Sequence, residues 1–284
     1  MKGLYYDISS CARCNNVLHG HGGIDAFGRP YGTSNALDLR DYFLRITKLC
    51  RKYDRWLHIH AHNLYMPFVH SFGDVCWPGE EQFHLYVNNP QYHYLEGIPA
   101  EKYESALNCE IRGMYIAFIN QNDRAKSQVP SVFAKDPESF IGTNAVHATL
   151  MPSLIYDFRD LGGTFGPNEK VYGDLRDLLR PLKLSKAVFH PYWAETYATA
   201  ADGIRTALYT WTDGAGAAPF LLVVGNFSRT DAKTGVTLDW TKAGTSPSPL
   251  KDLLTGRVFA ADELRGFTLA SHRFLLLVPV PTHD

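Results

Sequence analysis

Asp7 closes the apolar run Leu4-Tyr5-Tyr6, so a strand there delivers its carboxylate at the strand's carboxyl end, where ligands gather in parallel α/β proteins. A carboxylate so placed can attack an anomeric carbon or stabilise a cationic transition state. It can equally cap the turn at Ser9 and Ser10. The loop that follows holds Cys11, Cys14, His19, His21, Asp25 and Arg29 around several glycines. Two thiols and two imidazoles could complete a tetrahedral zinc site, Cys11, Cys14, His19 and His21. The other reading is a polar substrate loop in which His19, His21, Asp25 and Arg29 meet the ligand. The run Gly20-His21-Gly22-Gly23 lacks the G-x-G-x-x-G order, so a dinucleotide or phosphate cradle is not expected.

Further on, Leu57-His58-Ile59-His60-Ala61-His62 alternates, and a strand would put the three imidazoles on one face. A zinc-dependent amidohydrolase centre uses histidines at a strand end in this way. Alternatively, only His62 and Asn63 touch ligand while His58 and His60 are satisfied interior residues. The segment Phe68 to Gln82 then sets Asp74 and Glu80 beside Trp77 in a Gly/Pro loop expected to follow a strand. A carboxyl desolvated by an indole has its pKa raised, as a general acid near neutral pH requires. Asp7 with Glu80, or with Asp74, would supply the two carboxylates that glycoside cleavage needs. Asn120 after an apolar run, and His190 and Trp193 after another, are candidate contacts to sugar hydroxyls and a sugar face.

Those residues need elements to carry them. Gly3–Ile8, Arg55–His62, Met114–Asn120 and Ala187–Tyr192 read as strands; Ala36–Tyr53, Pro99–Cys109 and Asp174–Leu182 have helical spacing. Repeated β-then-α units argue for a parallel sheet over residues 1–201. From 202 to 284 the pattern is β only: Arg205–Thr212, Pro219–Asn226, Gly235–Asp239, Gly256–Phe259, Phe267–Leu269 and Arg273–Val280, separated by turn residues. The expected fold is α/β, an incomplete or divergent (β/α) barrel followed by an antiparallel β-sandwich. Four or five βα units fall short of the eight of a closed barrel, so a fragment of a longer enzyme is expected.

Composition narrows the classes. The 284 residues are 45% hydrophobic and 20% charged, as in an ordered globular protein. Lys and Arg (28) balance Asp and Glu (29), leaving no basic field for a nucleic acid. No apolar stretch reaches the roughly 20 residues of a membrane span, and Met1-Lys2-Gly3-Leu4 shows no signal peptide before the first strand.

The strand Gly3-Leu4-Tyr5-Tyr6-Asp7, the loop His19-Gly20-His21-Gly22 with Phe27-Gly28-Arg29, and Asp74 with Gly79-Glu80 together resemble the glycoside hydrolase family 123-like barrels. More distantly they resemble the clan of α-galactosidases and endo-α-N-acetylgalactosaminidases. Gly225-Asn226, Asp252-Leu-Leu-Thr255-Gly256 and the strand after His272 resemble the β-sandwich that closes many glycosidase chains. The resemblance covers the rear part of such enzymes. It implies a nucleophile at Asp7, an acid/base at Glu80 or Asp74, an oligosaccharide or polysaccharide substrate, and export to the periplasm or medium. Family 123 enzymes use an adjacent Asp-Glu pair, and the barrel-like part offers only Glu80-Glu81. A retaining mechanism on two separate carboxylates, with no cofactor, is therefore the expectation. The zinc amidohydrolase on His58, His60 and His62 and a non-catalytic glycan-binding remnant stand beside it.

Overall fold

The computed structural model describes residues 2–7, 9–61, 66–78, 99, 101, 104, 113–116, 169–194, 197–212 and 218–280. The chain divides into two compact units, Met1–Glu81 with Cys109–Ala117, and Gln82–Asn108 with Phe118–Asp284. Among the described residues no helix is long and apolar enough to cross a membrane.

The first unit is a four-stranded sheet of β1 (Gly3–Tyr6), β2 (Trp56–His60), β3 (Val75–Trp77) and β4 (Tyr115–Ile116). The strands lie side by side in chain order and every pair is parallel. Between β1 and β2 runs α1 (Ala36–Lys52), with Asp38 in its first turn and Arg51 and Lys52 in its last, as the helix dipole favours. A short helix, α2 (Pro67–His70), starts on a proline whose missing N–H costs nothing there. Phe43, Cys50, Leu57, Ile59 and Val69 form the core between sheet and helices, with Tyr6, Leu39 and Ile46 against its edge. Full burial of such side chains contributes about 1.5–3 kcal/mol each.

Leu57 and Ile59 thus face the helices, and the alternation turns His58 and His60 to the opposite side of the sheet. Parallel register puts Tyr5 beside His58, His58 beside Val75, and His60 beside Trp77. One sheet face therefore carries Tyr5, His58, His60 and Trp77, with Trp56 and Tyr115 stacked 5.9 Å apart nearer the amino ends.

The second unit holds α3 (Glu169–Leu179) and a six-stranded antiparallel sheet. Its strands are β5 (Val188–Pro191), β7 (Ile204–Thr210), β8 (Phe220–Asn226), β11 (Leu250–Asp252), β12 (Val258–Phe259) and β14 (Phe274–Pro279). Two ribbons accompany it: β6 (Ala198–Ala200) with β10 (Val236–Leu238), and β9 (Ala232–Thr234) with β13 (Phe267–Leu269). Leu208, Phe220, Leu222, Val224 and Leu277 of the sheet share one core with Ala198, Val236, Leu238 and Leu269 of the ribbons. The second layer is thus a pair of short ribbons and not a second full sheet.

The strand expected to close the α/β part belongs elsewhere. Val188–Pro191 pairs antiparallel with Ile204–Thr210, so the antiparallel sheet begins before residue 202. An isolated apolar run of four residues carries no mark of the direction of its neighbour, which is why sequence pattern placed it in the parallel sheet.

Candidate active site

Asp7 follows the last residue of β1, and its Oδ1 lies 2.7 Å from His60 Nδ1. The Tyr5 hydroxyl donates to the same oxygen at 3.2 Å and stands 3.1 Å from His60 Nδ1. A carboxylate only accepts, so the shared proton sits on Nδ1, and Oδ1 gathers two donors. The His60 side chain is 3% exposed and that of Asp7 57%, so a buried imidazole holds a carboxylate that reaches solvent.

The backbone beneath is tied down. Ser9, wholly buried, donates from Oγ to the His60 carbonyl at 2.6 Å and from its amide to the same oxygen at 3.3 Å. His70, also wholly buried, accepts from the Met66 amide at Nδ1 (2.9 Å), which puts its proton on Nε2. Nε2 then donates to the Ser9 carbonyl at 3.0 Å and lies 3.2 Å from Ser9 Oγ. Position 9 is thus clamped from two sides, two residues after Asp7.

Beside this centre His58 is 8% exposed and meets Trp77 edge-on at 4.2 Å and Tyr5 at 5.5 Å. Burial, with His60 adding to it, lowers its pKa to about 4, so it is a neutral imidazole at pH 7. Its Nε2 has no hydrogen-bond partner among the described residues. Tyr5 and Trp77 are 5.5 Å apart, and together they line the approach to His60 and Asp7 with aromatic rings.

Asp74 lies at the other end of the sheet. It precedes β3: its Oδ2 accepts from the Leu57 amide at 2.8 Å and its Oδ1 pairs with Arg51 Nη2 at 2.6 Å. Its amide donates to the Leu57 carbonyl at 2.8 Å and its carbonyl accepts from Tyr115 at 3.0 Å. The residue staples the amino ends of β2, β3 and β4, at the end of the sheet opposite the Asp7 carboxylate. The segment before it is the helical turn α2 and not a strand, so Asp74 begins a strand where the sequence pattern put it after one.

The glycine-rich loop is held by its own polar groups. Asp25 accepts from the amides of Phe27 (2.8 Å) and Arg29 (2.9 Å), and Arg29 Nε returns to Asp25 Oδ2 at 3.2 Å. His21 Nε2 meets Asp38 Oδ2 at 2.8 Å. His19 Nδ1 is 3.7 Å from Cys14 Sγ, and its Nε2 accepts from Asn16 Nδ2 at 3.1 Å. With His21 drawn to α1 and Cys11 against the core, the four do not converge. Among the described residues no group of three or more His, Cys, Asp or Glu side chains is placed to hold a metal ion.

His190 and Trp193 lie in the second unit. His190 Nε2 is 2.8 Å from Thr210 Oγ1 and its ring 4.1 Å from Tyr197, while Trp193 packs against Phe189 and Tyr192. His190 lies on an antiparallel strand, and Trp193 follows it, in place of a fourth or fifth barrel strand. Tyr192 donates to Glu104. Glu80, His62, Asn63 and Asn120 lie outside the described residues.

Sequence reasoning missed the roles of Tyr5, Ser9, His60 and His70. The signal for the first and third was present: period two puts Tyr5 and Asp7 on one face, and a second strand carrying alternate imidazoles on the matching face must bring one to them.

No protein-family model matches the chain, and neither does any curated protein. Its structural neighbours are glycoside hydrolases. It is similar to a GH27 β-L-arabinopyranosidase from Geobacillus stearothermophilus at 11% identity and a TM-score of 0.41, covering 92% of this chain and 66% of that one. It is also similar to a putative α-galactosidase/melibiase from Bacteroides fragilis, with 10% identity, 90% and 68% coverage and a TM-score of 0.24. A catalytic mutant of a GH42 β-galactosidase from G. stearothermophilus matches at 14% identity over 39% of this chain and 12% of its own, with a TM-score of 0.21. The chain thus spans about two thirds of the arabinopyranosidase and an eighth of the β-galactosidase. All these TM-scores are at or below 0.41, so the reading of the site rests on its own geometry.

Proposed function

We propose that this chain carries the chemistry of a retaining glycoside hydrolase, akin to the family 123-like and α-galactosidase-like barrels, with Asp7 as nucleophile and Glu80 as acid/base. The observation that carries the reading is the Asp7 carboxylate at the carboxyl end of a parallel strand, its Oδ1 held by Tyr5 and His60 beside an aromatic wall of Trp77. Two donors on one oxygen fix the carboxylate's rotamer, as an in-line attack on an anomeric carbon requires. Glu80 follows β3, the strand that Trp77 ends, and in this mechanism it protonates the leaving oxygen and then activates water. The substrate is an oligosaccharide or polysaccharide, and the enzyme works outside the cytoplasm.

The test is turnover of a panel of nitrophenyl galactosides, arabinosides and N-acetylgalactosaminides. Asp7→Asn should abolish it, and Asp7→Gly should recover turnover with azide, giving a glycosyl azide. Glu80→Gln should lower kcat by about 10²–10⁴-fold. Full activity in either the Asp7→Asn or the Glu80→Gln variant refutes the assignment.

A further inference from the structure

The second unit contains a pocket of about 350 Å³ walled by Val236, Leu238, Trp240 and Leu264, with Thr237, Asp262 and Arg265 on its polar side. We infer that this pocket binds a sugar ring, as a carbohydrate site separate from Asp7. The volume falls at the lower end of the ~300–1,000 Å³ of small-molecule sites, which suits a single pyranose ring.

The walls are preformed. Gly235, beside β10, comes so close to the turn at Glu263–Arg265 that a Cβ there would lie 2.3 Å from the Arg265 carbonyl oxygen. The turn is capped by Asp262, whose Oδ1 accepts from the Glu263 amide at 3.1 Å, and by Glu263 Oε2 accepting from Ala260 at 2.7 Å. On the other side β10 is paired along its length with β6, and Trp240 rests its ring edge-on against Phe220 of the main sheet at 6.1 Å. A pocket built on paired strands and a doubly capped turn loses little entropy when it is filled.

Its chemistry matches a sugar. A half-buried indole gives the C–H face of a pyranose an apolar partner, while a carboxylate, a guanidinium and a hydroxyl offer acceptors and donors to ring hydroxyls. Arg265 makes no side-chain ion pair or hydrogen bond among the described residues, so its donors are available to a ligand. A lipid tail would find no apolar partner in the Asp262 carboxylate and the Arg265 guanidinium. A nucleotide would need more cation than one guanidinium in a chain of net charge −1.

The experiment is isothermal titration and saturation-transfer NMR of the full chain with methyl galactopyranosides, L-arabinose and D-galacturonate. The expected result is binding with Kd on the order of 1 mM that survives Asp7→Asn and weakens about tenfold in Trp240→Ala and in Arg265→Ala. Arg265 is exposed, so Arg265→Ala keeps the fold even if loss of the Trp240 ring disturbs Phe220. A galacturonate preference that vanishes in Arg265→Ala places the carboxylate on that guanidinium. Absence of binding by every sugar of the panel overturns the inference, as does binding unchanged in both pocket variants. Binding lost in Asp7→Asn alone also overturns it, while leaving the catalytic reading intact.

Discussion

Asp74→Ala separates a staple from a catalyst, and its cost can be worked from the contacts. Leu57 is wholly buried, and its amide has the Asp74 carboxylate as acceptor at 2.8 Å. Removing the carboxylate strands a buried donor, at about 1–3 kcal/mol. The Arg51 partner is 59% exposed, so that ion pair adds at most about 1 kcal/mol. The sum, about 1–4 kcal/mol, should lower the midpoint by about 4–8 °C per kcal/mol for a unit of this size. Asp74→Asn keeps an oxygen for Leu57 and loses only the ion pair, so it should cost below about 1 kcal/mol, like Arg51→Ala. Urea unfolding followed by tryptophan fluorescence reads all three, since Trp56 and Trp77 lie in the same sheet. If Asp74→Asn destabilises as much as Asp74→Ala, the ion pair and not the amide contact is what matters, and the reasoning fails. It also fails if Asp74→Asn leaves stability intact yet abolishes turnover, because that is the signature of an acid and not of a staple.

Two further perturbations address the imidazoles. His58 has a pKa of about 4 in the folded chain against 6.5 when exposed, so the unfolded chain binds more protons between those values. Its contribution to stability is complete above pH 6.5 and is lost as pH falls toward 4, by about 3 kcal/mol at the most, and His58→Phe should flatten the unfolding free energy measured across that window. His70→Ala should destabilise by about 3 kcal/mol, because it opens a cavity and leaves the Met66 amide and the Ser9 carbonyl without their partner; urea unfolding of the variant beside wild type checks this.

How much of this was readable from residues alone depended on whether a pattern fixes direction as well as type. Helix α1 and strands β1 and β2 follow from periodicity, since seventeen residues of 3.6-spacing and a strict alternation each admit one element. Direction is another matter. Asp74 precedes a three-residue apolar run and follows another apolar segment, and only the helical turn begun at Pro67 decides that the strand lies after it. The motifs of the second unit were legible as motifs but their work is structural. Asn226, wholly buried, spends its amide on the carbonyls of Thr230, Leu269 and Ala270. Asp252 takes the amides of Leu254, Thr255 and Leu276 and the Thr255 hydroxyl. Short turns with buried side-chain acceptors leave a strong sequence signature whatever the protein does.

The two histidines of β2 show why residue type is a weak guide to role. His58 and His60 are two positions apart on one face, both buried, and the sequence treats them alike. What separates them is the neighbouring strand. Its register brings Tyr5 alongside His58 and lets Asp7, two residues further, reach His60. His60 so acquires a carboxylate partner, while His58 has aromatic rings on both sides and is held neutral by burial. A one-residue slip of β1 against β2 would turn Asp7 to the helix face and abolish the site without changing a single side chain. The strongest constraint on the candidate active site is therefore the ladder that positions it, with Asp74 stapling its amino end and Ser9 and His70 clamping its carboxyl end.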